Sequence, residues 1–386
     1  MTRIGVVHTS LNSLGGAEKL CIETIRSLKE VGFSVDLIVN KKTDIGKIKT
    51  VFGSFAYPDR EIVIHPSVPW RTIYSRFVQW FLRDFLYVSK LRGNYDLMIN
   101  TKPLLPITFA DVMYMHFFSF PGSLEVYYEK YKNALMKVYK IPHDVMIGLS
   151  AETFNKSKFK PIVMTNSHFS KQVIMEHLDV KPIVVYPPVN VEKYLPLSKH
   201  KERRNFILTI SRIEEGKGLD IIPEIAKKVS GAKFVIIGSV SSGVYFYHLC
   251  KLIRNMGVAD KITIIPNANE NVKKALLAQA KIFLHPMKYE HFGIAIVEAM
   301  AAGLVPLVNK TGGPWTDILD YKQGVYGYAF EEVDSCGTFI AEILKDNNLR
   351  REVAERAIER SRYFNDKTFR NKLIDVVERL LNRNLN

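Results

Sequence analysis

Short apolar runs rich in β-branched residues recur along the chain, with helical patterns in the intervals. They fall at 3–7, 35–39, 62–64, 97–99, 112–115, 162–165 and 183–186, then at 206–210, 233–237, 262–265, 282–285 and 305–308. Segments such as 17–31, 221–230 and 272–280 place apolar residues at the three- and four-residue spacing of a helix. Continuous apolar strands alternating with helices predict an α/β fold with parallel sheets covered on both faces. Tyr186-Pro187-Pro188-Val189-Asn190-Val191 and the polar stretch up to Arg204 suit a linker. Two domains are therefore expected, 1–190 and 191–364, followed by a helix within 365–386. That helix carries Phe369, Leu373, Val376, Val377, Leu380 and Leu381 at helical spacing.

Composition narrows the class. A length of 386 residues exceeds one ordinary core, and a hydrophobic content of 47% argues for a folded chain. The three cysteines, Cys21, Cys250 and Cys336, are too scattered for a metal motif or a disulfide framework, which fits a reducing cytosol. No signal peptide is visible, and no apolar run reaches the roughly 18 residues of a spanning helix. The net charge of +15 favours anionic partners such as phosphates or acidic lipid. Nucleic acid is not expected, since no zinc-finger or RRM-type motif appears.

The densest chemistry lies in 284–319, LHPMKYEHFGIAIVEAMAAGLVPLVNKTGGPWTDIL. It reads as a strand end, an acidic loop, a helix, a second strand and a glycine loop. Such loops gather at the carboxyl ends of parallel strands, where ligands bind. Backbone N–H groups at Phe292, Gly293 and Ile294 open the helix and can hold phosphate, aided by the helix dipole. Glu290 and Glu298 lie eight residues apart, so they reach different groups: one can take a ribose diol and the other a sugar. The plainer alternative is a pair of solvated helix charges. In the loop after strand 206–210, Arg212 and Lys217 are placed to converge on a diphosphate and on charge building at its leaving oxygen.

These motifs resemble the donor-site signature of retaining GT-B glycosyltransferases of family 4. The EHFG and GGPWTDIL wording is most similar to the mannosyltransferases that extend lipid-linked oligosaccharides for asparagine-linked glycosylation. The resemblance implies two Rossmann-like domains facing across a cleft, with the C-terminal helix crossing back to the first. It implies that Glu290 contacts donor-sugar hydroxyls, Glu298 binds the nucleotide ribose, and Arg212 and Lys217 clamp the diphosphate. His291 and Phe292 join the nucleotide site. It further implies GDP-mannose as donor, a polyprenyl-diphosphate glycan as acceptor and a cytoplasmic, peripheral membrane location. UDP-sugars with a soluble or cell-envelope acceptor remain open, as does a non-catalytic nucleotide-sugar-binding protein. No Asp-x-Asp clamp is present, so neither a metal nor a cofactor is expected.

Other residues carry two readings each. Gly15 and Gly16 open a helix after the first strand and form either a tight turn or, by resemblance, a loop near the donor phosphates. His116 ends the apolar run 112–115 and is either a core histidine or, by resemblance, a contact of the transferred sugar. His285 either lines the nucleotide pocket or fills a sheet edge. Ser167 or Ser170 is read as a helix cap. Where many relatives carry a glutamate after Gly312-Gly313, this chain has Trp315, Thr316 and Asp317, which leaves the contacts of Asp317 open. The stretch 70–90 mixes Trp70, Tyr74, Phe77, Trp80, Phe81 and Phe85 with Arg71, Arg76, Arg83 and Lys90. The residues read equally as a helix buried on one side or as one lying on a membrane surface, and a lipid-linked acceptor tips the expectation toward membrane contact.

Overall fold

The computed structural model describes residues 1–64, 78–127, 136–200 and 202–383. Its contacts divide the chain into two compact units, Met1–Pro188 with Asp366–Asn386, and Val189–Asn365.

The first unit holds a seven-stranded parallel sheet in the order β3-β2-β1-β4-β5-β6-β7. The strands are β1 (Arg3–Val7), β2 (Ser34–Val39), β3 (Arg60–Val63), β4 (Leu97–Asn100), β5 (Val112–Met115), β6 (Ile162–Thr165) and β7 (Ile183–Val184). Helices α1 (Gly16–Glu30) and α2 (Ile45–Phe52) carry the chain from β1 to β3. Helix α3 comprises a π-wound segment, Phe81–Val88, running on into Ser89–Leu91. Helices α4 (Ser123–Tyr127), α5 (Lys137–Lys156) and α6 (His168–His177) follow β5 and β6.

The second unit holds a six-stranded parallel sheet in the order β10-β9-β8-β11-β12-β13. Its strands are β8 (Arg204–Ile210), β9 (Lys233–Gly238), β10 (Ile262–Pro266), β11 (Ala280–His285), β12 (Val305–Asn309) and β13 (Tyr328–Phe330). Helices α7 (Ile222–Lys228), α8 (Gly243–Asn255), α9 (Glu270–Gln279), α10 (Ile294–Ala301), α11 (Val333–Lys345) and α12 (Asn347–Ser361) surround it. The final helix, α13 (Asp366–Arg383), joins the first unit, where Phe369, Leu373, Val376 and Val377 bury against the same core as α1.

These are two Rossmann-like parallel sheets, the α/β class expected from the apolar runs. Strands such as LMIN of β4 and AKIFLH of β11 are buried at every position, as two-sided coverage by helices requires. In each sheet the order reverses between two neighbouring strands, β1/β4 and β8/β11. At such a switch point the loops leaving the two strands diverge and open a crevice at the carboxyl ends. One strand, β13, had no counterpart among the expected runs; three residues, Tyr328-Ala329-Phe330, leave little periodic signal.

Residues 70–77 of the aromatic stretch 70–90 lie outside the described residues, including Trp70, Arg71, Tyr74, Arg76 and Phe77. In the remainder, Arg83 is not a surface cation. Its side chain is fully buried, paired with Asp84 at 2.7 Å, and its Nη1 donates to Thr9 Oγ1. Trp80 Nε1 donates to the Ile107 carbonyl, while Phe81 and Phe85 are exposed.

Candidate functional site

In the second unit the loops after β8, β11 and β12 leave adjacent strand ends. Gly218, at φ +67°, lets the β8 loop pass the backbone of Pro286; a Cβ there would lie 2.9 Å from the Pro286 carbonyl oxygen. The β12 loop closes on the β11 loop in the same way. Gly313 N–H donates to the Glu290 carbonyl at 2.8 Å, and a Cβ on Gly312 would sit 2.3 Å from that oxygen. Thr311 Oγ1 accepts from Tyr289 N–H at 2.9 Å. The Gly312-Gly313 pair therefore serves here to lock the loop that carries Glu290. Gly293, at φ +97°, caps α10, and Phe292 before it is buried.

This packing brings Lys217, His285, Glu290 and His291 together. Lys217 Nζ lies 3.4 Å from Glu290 Oε2, and His285 Nε2 lies 3.4 Å from the same oxygen. Glu290 Oε1 accepts the His291 backbone N–H at 3.0 Å. Lys217 Nζ also touches Met287 Sδ at 3.2 Å. Burial pushes the Glu290 carboxyl up, but Lys217, His285 and His291 outweigh it and hold the group well below the usual carboxylate range. Burial lowers the His291 imidazole to about 4 against the pull of Glu290. His285 is buried beside this carboxylate. The result is a fixed anion beside a cation at the start of a helix.

Arg212 stands apart from this group. Its guanidinium pairs with Glu214 at 2.9 Å, and its side chain is 60% exposed. Arg212 thus turns to Glu214 while Lys217 turns to Glu290.

Glu298 lies inside α10, buried, with Oε2 only 2.6 Å from Lys273 Nζ of α9. Lys273 also donates to Tyr194 Oη at 3.0 Å, and the Tyr194 hydroxyl donates to Glu270. Sequence reading missed Lys273 and Tyr194. They are 25 and 104 residues from Glu298, and only the fold brings them to it.

In the first unit, Gly15 caps α1 and its N–H donates to Glu18 Oε2 at 2.8 Å, while Gly16 begins the helix. Glu18 Oε1 lies 2.5 Å from Lys102 Nζ and 3.4 Å from His8 Nε2. Thr101 Oγ1 lies 3.0 Å from the Val7 carbonyl oxygen and 2.9 Å from His8 Nδ1. His116 Nε2 lies 2.9 Å from the Thr101 carbonyl, which fixes that nitrogen as the donor and leaves Nδ1 as acceptor. Burial lowers His8 to about 4 and His116 to about 3, so both rings are neutral at pH 7. Burial raises the Glu18 carboxyl, but His8 and Lys102 outweigh it and the net shift is strongly downward. Gly15, Gly16 and His116 therefore sit at one switch point, tied by His8, Glu18, Thr101 and Lys102. The only sequence signal for this network was Glu18, three residues after Gly15, in capping-box position.

Comparison with known proteins gives a consistent picture. Residues 190–360 match the family described as glycosyl transferases group 1. The chain is 26% identical over 376 residues to the α-1,3/1,6-mannosyltransferase ALG2 of Kluyveromyces lactis, covering 83% of this chain and 72% of that protein. It is 25% identical over 272 residues to the GDP-Man:Man(3)GlcNAc(2)-PP-Dol α-1,2-mannosyltransferase of Dictyostelium discoideum, covering 66% of this chain but only 52% of that enzyme. Among solved structures, sucrose-phosphate synthase from Thermosynechococcus elongatus superposes with a TM-score of 0.78 at 14% identity, over 99% of this chain and all of that one. At that identity the likeness concerns the fold.

Proposed function

The chain is a glycosyltransferase with the GT-B fold, its group 1 domain spanning residues 190–360, and from that premise we propose that it moves mannose from GDP-mannose to a polyprenyl-diphosphate-linked glycan, with retention at the anomeric carbon. The observation that carries this reading is the partly buried, ionised Glu290 held between Lys217 and His285 at the start of α10. A carboxylate fixed in that way accepts hydrogen bonds from sugar hydroxyls, and the neighbouring ammonium and helix start suit a diphosphate. The choice of mannose and of a lipid-borne acceptor is supported by the relatives described above, which are mannosyltransferases, one of them named for GDP-Man and a PP-Dol glycan.

In this reading the bond between the anomeric carbon and the β-phosphate oxygen breaks while the acceptor oxygen bonds to the same face. The acceptor proton passes to the departing phosphate. Lys217, with Arg212 once it leaves Glu214, steadies the charge on that phosphate. Glu298, anchored by Lys273, takes the ribose diol, and His285, His291, Phe292, Gly293 and Ile294 shape the nucleotide site. In the first unit, His116 offers Nδ1 to a sugar hydroxyl, and Gly16 at the start of α1 offers its backbone N–H, while the Gly15 N–H is taken by Glu18. No metal or cofactor is assigned. The enzyme is placed at the cytoplasmic membrane face; among the described residues no helix is long and apolar enough to cross a membrane.

Labelled GDP-mannose incubated with the protein and source membranes tests the proposal. Label should enter the organic-extractable lipid with the wild type and not with Glu290→Ala. Label from UDP-glucose alone, or only in water-soluble product, would sink the donor or the acceptor assignment respectively.

A further inference from the structure

The residues of the donor site lie at the carboxyl ends of β8 and β11. The amino ends of the same strands carry a second cluster, made of cations. Arg203 precedes β8, and its guanidinium donates to the carbonyls of Leu197, Leu277, Ala280 and Ala302. It thereby closes the last turns of α9 and α10, where helix carbonyls lack partners of their own. Lys281 is the second residue of β11, about 13 Å along the strand from His285. The register against β8 breaks between Ala280 and Ile282, so Lys281 sits at a bulge, a device that re-aims a side chain. Lys281 is 8% exposed, and its Nζ donates to Asn347 Oδ1 at 3.1 Å, at the start of α12.

Arg350 completes the cluster. It belongs to the buried row of α12 with Val353, Ala354 and Ala357, at the spacing of a core-facing helix stripe. Arg350 is 9% exposed, and its Nε is sealed from solvent with no hydrogen-bond partner. Burial makes Lys281 and Arg203 hold their protons less tightly, and Arg350 adds to the effect on both, so the three charges share one neighbourhood. No carboxylate acts on any of them. The neighbouring Asp346 is occupied in capping α12, where it accepts the Asn348 and Leu349 N–H groups, and Glu352 faces Arg356.

A buried charge is costly unless it is paired and hydrogen-bonded, and a second charge of the same sign adds to the cost. Arg203 is compensated by the carbonyls around it, but Lys281 has a single amide oxygen and the Arg350 Nε has nothing. An anion supplies what both lack. We propose that Lys281 and Arg350, with the side-chain amide of Asn347, form a binding site for a small phosphate-class oxyanion at the amino end of β11. The planar guanidinium takes two oxygens at once, and the ammonium takes a third. Asn347 is exposed, so the ligand enters from solvent at the turn between α11 and α12. The site is separate from the donor site and stands whether or not the donor assignment does.

The test is titration calorimetry and thermal melting of the purified full chain in phosphate-free buffer, with inorganic phosphate added and chloride at matched ionic strength as the control. The wild type should bind phosphate saturably and gain in thermal midpoint. Arg350→Met keeps the apolar stem, and its affinity for phosphate should fall about tenfold or more. Lys281→Met is the second variant, with the same expected loss, and decides the matter if the first does not fold. Lys217→Met alters the donor site and should respond to phosphate as the wild type does. Equal phosphate binding by wild type and the Arg350 and Lys281 variants would overturn the proposal. A wild-type gain no larger than chloride gives would do the same, as would loss of the response in Lys217→Met, which would place the phosphate at the donor site. Glycerol 3-phosphate titrated in parallel separates the sources of the ligand. Weaker binding than phosphate marks free phosphate as the occupant, and tighter binding marks a phosphomonoester.

Discussion

Replacing Lys217 with methionine removes a charge and keeps most of the stem's volume. In the wild type the ammonium lies 3.4 Å from Glu290 Oε2, with the two side chains 16% and 17% exposed. At an effective dielectric of about 20, Coulomb's law gives an attraction of about 5 kcal/mol before desolvation is counted. Burial of both groups offsets part of that gain, so stability should fall by about 3 kcal/mol as the carboxylate is left without its cation. The kinetic loss has a separate origin, since the same ammonium is assigned to charge on the departing phosphate. Removing one such preorganised donor lowers turnover by about 10²–10³. Steady-state transfer with GDP-mannose as the varied substrate should show kcat down by that factor, with K217R losing less. The variant should also lose activity toward acid pH, where the wild type stays flat, because burial then acts on Glu290 with less opposition. Normal kcat and an unchanged thermal midpoint in K217M would refute both the pairing and the assignment.

Further outcomes follow from the same geometry. Gly312→Ala should cost about 2–5 kcal/mol in thermal unfolding, because its Cβ would meet the Glu290 carbonyl oxygen at 2.3 Å and the residue sits at φ +71°; a native midpoint would contradict it. His8 and His291 have folded pKa values of about 4, and His116 of about 3, all below their unfolded value of 6.5. The unfolded chain then binds more protons, so stability should be fully present above about pH 6.5 and fall as pH drops toward 4. Thermal melts across that range check the sign, and H291N should flatten part of the slope. Lys217 and Arg212 are assigned the diphosphate charge, so EDTA should leave transfer unchanged; loss of activity restored by Mg²⁺ would assign that charge to a cation instead.

The strands and their grouping into two parallel sheets were legible because each strand is buried on both faces and therefore reads as an unbroken apolar run. Val112–Met115 and Ile162–Thr165 need no distant information to be recognised. Strand β13 shows the limit, since an edge strand of three residues carries too short a pattern. Within the site, sequence drew attention to residues that share a loop, such as Glu290 and Gly293. It did not reach side chains delivered by other strands and helices. The Lys102 ammonium meets Glu18 across 84 residues, and Lys273 reaches Glu298 from the preceding helix. Arg83 shows the converse error. Its place in an aromatic, basic stretch suggested a surface charge, yet the adjacent Asp84 and the Thr9 hydroxyl gave it partners for burial. Tertiary pairing of this kind leaves no periodic trace.

The most direct test of the central claim is calorimetric titration of GDP-mannose into the wild type, K217M and E298Q. If the ends of β8 and β11 with helix α10 form the donor site, wild type binds and each variant weakens about tenfold or more, one through the diphosphate and the other through the ribose. Wild-type affinity in both variants would place the nucleotide elsewhere.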